Sequence, residues 1–503
     1  MLACGAPSAP PGRHQVVIAF AAEPAALNPI FVSDNLSFTI SGWLFNGLTR
    51  IQPDLKVAAD LAEGWQLGRN GRRLTFFLRK GVKWHDGEEF TAADVVFTYR
   101  QVTSPGTPTP LKCQFGPVRQ VSAPDRYTVV VDYEEPFGSA LESWTIGIVP
   151  EHVFKSREVT DPSFDRAPVG TGPYRLKEWL PGQKLVLTSF PEHFRGSPRL
   201  PQLIIKIIPD PTTRFLELKT GHIDVMELSP AQYAEWQKNP PGGPELTLYR
   251  CEAVRYGFLG FNHLHPAFRE REIRQAFSMA IDKTAIIQGV LKGLGSVGHS
   301  PFPPKAWYSH DSLPSLPFDP SKAKEIFQKW GFALMSAIEP GSPLILATNY
   351  ESKENLLTAQ IIQENLQALG VTIRIRTYDW LTFRHVVINK RQFDLIVLER
   401  HFLWDPDLYT LWHSSQIKEG EWNFLNYHNP EVDRLLAEGR RTLEKDRRRA
   451  LYRQLQEIMA QDLPCVFLYN SDAVFLARKA LHGISPSPLG IFDNVAQWYF
   501  GTS

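Results

Sequence analysis

Residues 78–90 read LRKGVKWHDGEEF and bring His85, Asp86, Glu88 and Glu89 close together, groups that can bind a metal ion or move protons. A zinc hydrolase needs two ligands on one helical face, as in H-E-x-x-H. Here His85 runs directly into Asp86 and Gly87, a turn sequence between the strand-like RLTFFLRKGVKW and a helix opened by Thr91. Neighbouring side chains in such a turn point apart, so the cluster is read as a turn. Thr91 stands three residues before Asp94 in TAAD, close to a capping box, which assigns that carboxylate to a helix start. Other catalytic patterns fade in the same way. GLGSVG at 293–298 matches a dinucleotide fingerprint by letter, but it follows a helical stretch and runs into HSPFPP instead of opening a helix. No G-x-S-x-G elbow occurs, and His413-Ser414-Ser415 has no acid at a motif spacing. A metal hydrolase working in a cleft is kept only as the alternative from another class; no catalytic residue, metal or cofactor is expected.

These residues sit in a chain of 503, too long for one hydrophobic core, so two or three domains are expected. Lys and Arg number 54 against 53 Asp and Glu, a net charge of +1 that draws the protein neither to nucleic acid nor to an anionic membrane. No apolar run approaches the roughly 18 residues of a membrane span. Cys113, Cys251 and Cys465 are far apart, without C-x-x-C spacing, and so form neither a zinc site nor a disulfide framework.

The elements that must position any site fall into two textures. Up to about residue 259, short alternating runs such as QVVIAF, RLTFFLR, YTVVVDY, KLVLTSF and QLIIKII are separated by Pro and Gly turns, which predicts a strand-rich half. From about residue 262 helical periodicity takes over. In DPSKAKEIFQKWG, Asp319 is the expected N-cap and Gly331 the expected stop. PLILATNY, the helix ESKENLLTAQIIQENLQALG, VTIRIRTY, the helix DWLTFRHVVINKR and FDLIVLE then predict β-α-β-α-β with a largely parallel sheet. Helices over 431–441 and 446–461 lead into the strand PCVFLYN, and the last thirty or so residues return to strand and turn texture. Those residues rejoin the first half in this reading. The second domain is then an insertion reached by crossings near Phe261 and Asn470, a hinge with a ligand cleft between two lobes.

LRKGVKWHDGEEFTAADVVFTYR resembles the signature segment of the family 5 extracellular solute-binding proteins, the oligopeptide-, dipeptide- and nickel-binding receptors of ABC importers. LNPIF, LFNGLTR, LAEGWQL, VGTGPYRLKEW, REIRQAFSMAIDKTAI, NPEVDRLLAEGR and RALYRQLQEIMAQDLPCVFLY agree in the same order along nearly the whole chain. The resemblance implies an α/β two-lobed periplasmic-binding-protein clamshell of the type II, cluster C-like kind, with an extra domain inserted in the first lobe. The expected divisions are a tether at 1–14, lobe I at 15–42, 168–260 and 470–503, the extra domain at 43–167, and lobe II at 261–469. It implies a monomeric receptor that captures a peptide by hinge closure and delivers it to ABC permease subunits, with a short saccharide or other neutral solute as the alternative ligand. MLACGAPSAPPG resembles the tail of a bacterial lipoprotein signal with Cys4 as the lipid acceptor, although the basic and apolar regions of such a signal do not precede it. The expected location is periplasmic or cell-surface, held at the membrane only through that anchor.

The segment expected to touch ligand is RHFLWDPDLYTLWHSSQ, at 400–416, followed by EWNFLNY, because ligands gather beyond the carboxyl ends of strands in open α/β sheets. Trp404, Tyr409, Trp412 and His413 offer flat walls, and Asp405, Asp407 and Asn423 directional groups. From the first lobe, the resemblance adds Tyr256, Asn262 and Thr39. It also exposes a departure: peptide receptors of the family carry an ammonium-binding aspartate a few residues before the D/E-P pair, where this chain has His401 and Phe402. The anchor is therefore absent or supplied elsewhere, with Asp405 and Asp407 the first candidates. Affinity is expected to depend on stacking and hydrogen bonds more than on the ligand's terminal charge.

Overall fold

The computed structural model describes residues 14–238, 245–310, 312–336, 343–402 and 405–501. Cys4 and Trp404 lie outside the described residues. The chain forms two compact units, Met1–Cys251 with Val474–Ser503, and Glu252–Ala473.

In the first unit the strand Gln15–Phe20 runs parallel to both Gln202–Ile207 and Val225–Leu228. Lys184–Ser189 and Tyr174–Leu180 continue the sheet antiparallel, and on the other side Val474 to Ala477 pair with Leu228 to Val225. A separate antiparallel sheet is ordered Ala62–Gly68, Arg73–Leu78, Thr128–Tyr133, Val118–Asp125. Its two inner strands alternate, with Leu74, Phe76, Leu78, Val129, Val131 and Tyr133 buried. Beside this sheet lies the helix Ala92–Thr103, opened as TAAD predicts: the Thr91 N–H donates to Asp94 Oδ2 at 2.8 Å.

The HDGEE turn belongs to this framework. Gly87 takes the left-handed φ of +97° that closes the turn, and the acidic side chains disperse. Asp86 Oδ2 meets His152 Nε2 at 2.8 Å, while Glu89 accepts from the Gly81 N–H at 3.1 Å and the Tyr127 hydroxyl at 2.8 Å. His85 clips a second stretch, VGTGPY. Its Nε2 donates to the Gly172 carbonyl at 3.0 Å, its Nδ1 accepts from the Gly170 N–H at 3.1 Å, and its own N–H donates to the Gly170 carbonyl at 2.9 Å. The glycines there are required by close approach: a Cβ at Gly170 would lie 1.9 Å from the Leu44 carbonyl oxygen, and one at Gly172 2.4 Å from that of Trp43.

In the second unit Leu344–Asn349 pairs in parallel with Ile373–Tyr378 and with Leu395–His401. Leu395–His401 in turn pairs antiparallel with Arg255 to Phe261, the end of the strand Leu246–Phe261. The crossover helix Lys353–Gln367 buries Ala359, Ile362 and Leu366 on one face, together with Leu259, Phe261, Val397 and Leu468. On the other face Phe258, Leu398 and Phe467 pack with Trp412, Tyr427, Leu435 and Tyr452 from the helices and loops that follow. Apolar cover on both faces explains why the centre of FDLIVLE, Leu395 to Leu398, is apolar at every position.

Two elements depart from the sequence reading. The helix Pro320–Ser336 passes through Gly331, which meets nothing within 4 Å and has no left-handed φ, so the glycine is tolerated inside the helix instead of ending it. The stretch expected as one helix is a short turn, Trp380–Thr382, followed by a π-turn, Phe383–Asn389, that buries Phe383, Val387 and Ile388. GLGSVG is a loop carrying the short strand Gly295–Val297, paired with Ser471 to Tyr469. The divisions between units fall at Cys251/Glu252 and Ala473/Val474, inside long strands whose texture does not change there.

Candidate functional site

The strands Leu344–Asn349 and Leu395–His401 end at the same edge, and the loop after His401 carries most of the expected ligand residues. Asp407 starts the short helix Tyr409–Trp412: its Oδ1 accepts from the Tyr409 N–H at 3.0 Å, and its Oδ2 accepts from Arg440 Nε at 2.7 Å. Burial pushes its carboxyl above the usual range, with the Arg440 charge pulling the other way. The Arg440 guanidinium lies 4.1 Å from the centre of the Tyr409 ring, and His413 stacks on Tyr409 at 4.0 Å. Asp405 Oδ1 accepts from the Asp407 N–H at 3.0 Å and from Arg448 Nη2 at 3.3 Å. Both aspartates are thus committed to arginines of their own unit.

Other candidates are placed in the core. Trp412 is 5% exposed and packs against Tyr427 and Phe467, so a Trp412→Ala variant reports on folding before it reports on binding. Asn423 is a brace: its Nδ2 lies within donating distance of the Trp412, His413 and Tyr427 carbonyls, and its Oδ1 accepts from the Tyr427 N–H. Asn262 does the same for the Phe393 carbonyl at 2.9 Å and for Asn426 Nδ2 at 3.1 Å. Tyr256 is buried among Phe258, Phe402 and Phe467, and burial pushes its phenol up to about 12. Thr39 belongs to the first unit, on the helix Asn35–Leu44, where its Oγ1 donates to the Asn35 carbonyl. The structure therefore gathers Asp405, Asp407, Tyr409, Trp412, His413 and Asn423 into one unit, places Tyr256 and Asn262 in that same unit instead of the first lobe expected for them, because the division falls before them at Cys251/Glu252, and leaves Thr39 in the other unit.

A second group at the same strand edge was not singled out from the sequence. Glu399, near the end of its strand, accepts a hydrogen bond from Ser471 Oγ at 2.5 Å and faces Arg255 Nη1 at 3.8 Å. Across the ladder Arg255 pairs with His401 and Gly257 with Glu399. A Cβ at Gly257 would lie 2.2 Å from the Tyr469 ring, so the bare glycine makes room for that tyrosine. Glu354, in the first turn of Lys353–Gln367, is held above the usual carboxylate range by burial and then by the nearby Glu399 charge. A charged residue ending an apolar parallel strand was the available signal. A groove of about 930 Å³ lies elsewhere, on the small antiparallel sheet beside Arg72, Arg119 and Glu134, and no candidate residue lines it.

Residues 56–420 match the model of the bacterial extracellular solute-binding proteins, family 5 Middle. The chain belongs to that family. Among curated relatives, the oligopeptide-binding protein AppA of Bacillus subtilis (strain 168) is 28% identical over 501 residues, covering 96% of this chain and 91% of its own. Heme-binding protein A of Haemophilus influenzae is 28% identical over 514 residues, covering 95% and 91%. The solved structure of Bacillus subtilis AppA in complex with a nonapeptide is 27% identical, has a TM-score of 0.85 and covers 97% of this chain and 99% of its own. This family 5 protein is an extracellular solute-binding receptor with a mixed α/β fold. No helix among its described residues is long and apolar enough to cross a membrane.

Proposed function

We propose that this chain captures a peptide outside the cytoplasm and hands it to the permease of an ABC importer, without chemical turnover. The observation that carries the reading is the match to a nonapeptide-bound structure over 97% of the chain, joined to the family match over residues 56–420. The polar groups around residues 405–423 are engaged in holding their own unit together, an arrangement that supports rigid presentation of a binding surface rather than catalysis. The heme-binding relative supports keeping a non-peptide solute as the second reading. Calorimetry with a tryptic digest, followed by mass spectrometry of what stays bound, tests the proposal. One peptide per chain, recovered intact, is the expected result. Cleaved products, or retention of non-peptide solutes alone, would turn the reading toward an enzyme or a different receptor.

The receptor acts in this proposal as a monomer, and it is anchored through lipid on Cys4, the anchor being supported by MLACGAPSAPPG alone. Expressed in bacteria behind a complete lipoprotein signal, the wild type is expected in the membrane fraction and Cys4→Ser in the soluble extracytoplasmic fraction. Identical fractionation of the two would remove the anchor from the model.

A further inference from the structure

Two backbone irregularities bring arginines to the groove on the small antiparallel sheet. In the hairpin between Ala62–Gly68 and Arg73–Leu78, Asn70 and Gly71 take left-handed φ of +53° and +82°, and the turn leads straight into Arg72. On the outer strand Val118–Asp125, Val118 pairs with Tyr133 and Gln120 with Asp132, so Arg119 is the extra residue of a bulge, a device that re-aims a side chain at a sheet edge. The Tyr133 N–H donates to the Arg72 carbonyl on one side, while Val118 pairs with Tyr133 on the other. Arg72 and Arg119 therefore flank the end of Thr128–Tyr133, their backbones two strand spacings, or about 10 Å, apart. Charge is left over between them. Arg73 holds Asp132 through two bonds, Nε to Oδ1 at 2.6 Å and Nη2 to Oδ2 at 2.8 Å, which cancels that pair. Arg72, Arg119 and Glu134 are exposed, line the groove and have no ion-pair partner among the described residues. Asn70 and Gln120 add amide groups to the lining, and Tyr133 and Pro136 add apolar surface. A volume of about 930 Å³ suits an organic ligand and far exceeds a lone inorganic anion.

We infer that this groove is a further binding site, for a small zwitterion of the amino-acid type, with its carboxylate on Arg72 and Arg119 and its ammonium on Glu134. Guanidinium forks match a carboxylate, and an ionised Glu134 can only accept, as an ammonium requires. A simple anion would meet repulsion from Glu134, and a simple cation from both arginines. The groove belongs to the unit Met1–Cys251 with Val474–Ser503, whereas residues 405–423 belong to the other unit, so the inference does not depend on the peptide reading.

Three probes of equal carbon count, δ-aminovalerate, glutarate and cadaverine, are titrated separately onto the full chain, with saturation-transfer NMR reporting binding. The wild type is expected to bind the zwitterion δ-aminovalerate about tenfold more tightly than either single-sign probe. Arg72→Gln and Arg119→Gln are each expected to weaken that binding about tenfold, the scale of losing a hydrogen bond to a charged group. Glu134→Gln is expected to weaken it as well and to strengthen the binding of glutarate. Because all three side chains are exposed, the variants are expected to melt with the wild type and to retain peptides as it does. If one arginine variant melts early, the other arginine variant and Glu134→Gln decide. A preference for glutarate or cadaverine in the wild type, δ-aminovalerate binding that none of the three substitutions alters, or no binding of any probe overturns the inference. Peptide retention that falls in step with δ-aminovalerate binding also overturns it, since the groove would then not be a site of its own.

Discussion

Arg274→Leu is expected to destabilise the unit Glu252–Ala473 by about 3–5 kcal/mol, a loss typical of breaking a buried charge network. Arg274 is 4% exposed and unites the ends of two helices. Its Nη1 donates to the carbonyls of Phe268 and Arg269, at the end of Pro266–Arg269. Its Nε and Nη2 reach the Asp462 carbonyl at 3.0 and 2.7 Å, its Nε also the Leu463 carbonyl at 3.0 Å, and its Nη2 also Asp462 Oδ1 at 2.8 Å. The last helical carbonyls have no partner within their own helix, and Leu463 already holds a left-handed φ of +49° at this end. Leucine would leave those oxygens and the Asp462 carboxylate without their donor, with only Tyr427 and Asn429 still bonded to Oδ2. Urea unfolding followed by tryptophan fluorescence measures the effect. A shift worth less than about 1 kcal/mol would mean that solvent replaces the guanidinium, against the burial described.

Stability is expected to fall steeply between pH 6.5 and pH 4. Burial holds the imidazoles of His85, His193 and His263 down to about 4. A ring whose folded pKa is depressed contributes stability fully above its unfolded value near 6.5, and that contribution is lost as pH falls toward the folded value. At about 1.4 kcal/mol for each pH unit, one ring withdraws on the order of 2–3 kcal/mol over this window. Asp493, raised to about 6 by burial, works in the opposite sense and offsets part of the loss. His85 adds a geometric reason: protonating its Nδ1 would set a donor against the Gly170 N–H. The urea midpoint is therefore expected to be level above pH 7 and to drop below 6.5, and His85→Gln to show a shallower drop. A midpoint that stays level down to pH 4.5 would show that these rings are open to water.

Much of the second unit was legible in its amino acids because period and punctuation agree there. ESKENLLTAQIIQENLQALG carries a Ser352 cap and an apolar stripe, and FDLIVLE is apolar at every position that two covered faces require. What escaped depends on tertiary partners. Nothing local in WLTFRHVVIN announces a π-turn, and Gly331 stops a helix only where the backbone leaves it. Within the candidate site, residue type proved a weaker guide than placement. Asn423, Asn262 and Trp412 have the character of ligand contacts, but their bonds and rings are used by their own unit. Glu399 was read only as the end of a strand, because the residues that give it meaning, Ser471 and Arg255, come from other strands.

The close fit of Tyr469 over Gly257 ties together two positions that lie far apart along the chain. Any side chain at 257 would drive into a buried ring that has nowhere to swing, so the tyrosine could survive the change only by leaving its place. Its hydroxyl would leave with it. Along a lineage of such receptors, the two residues should be gained and lost together, and the absence of a side chain at 257 marks the presence of a phenol behind Glu399.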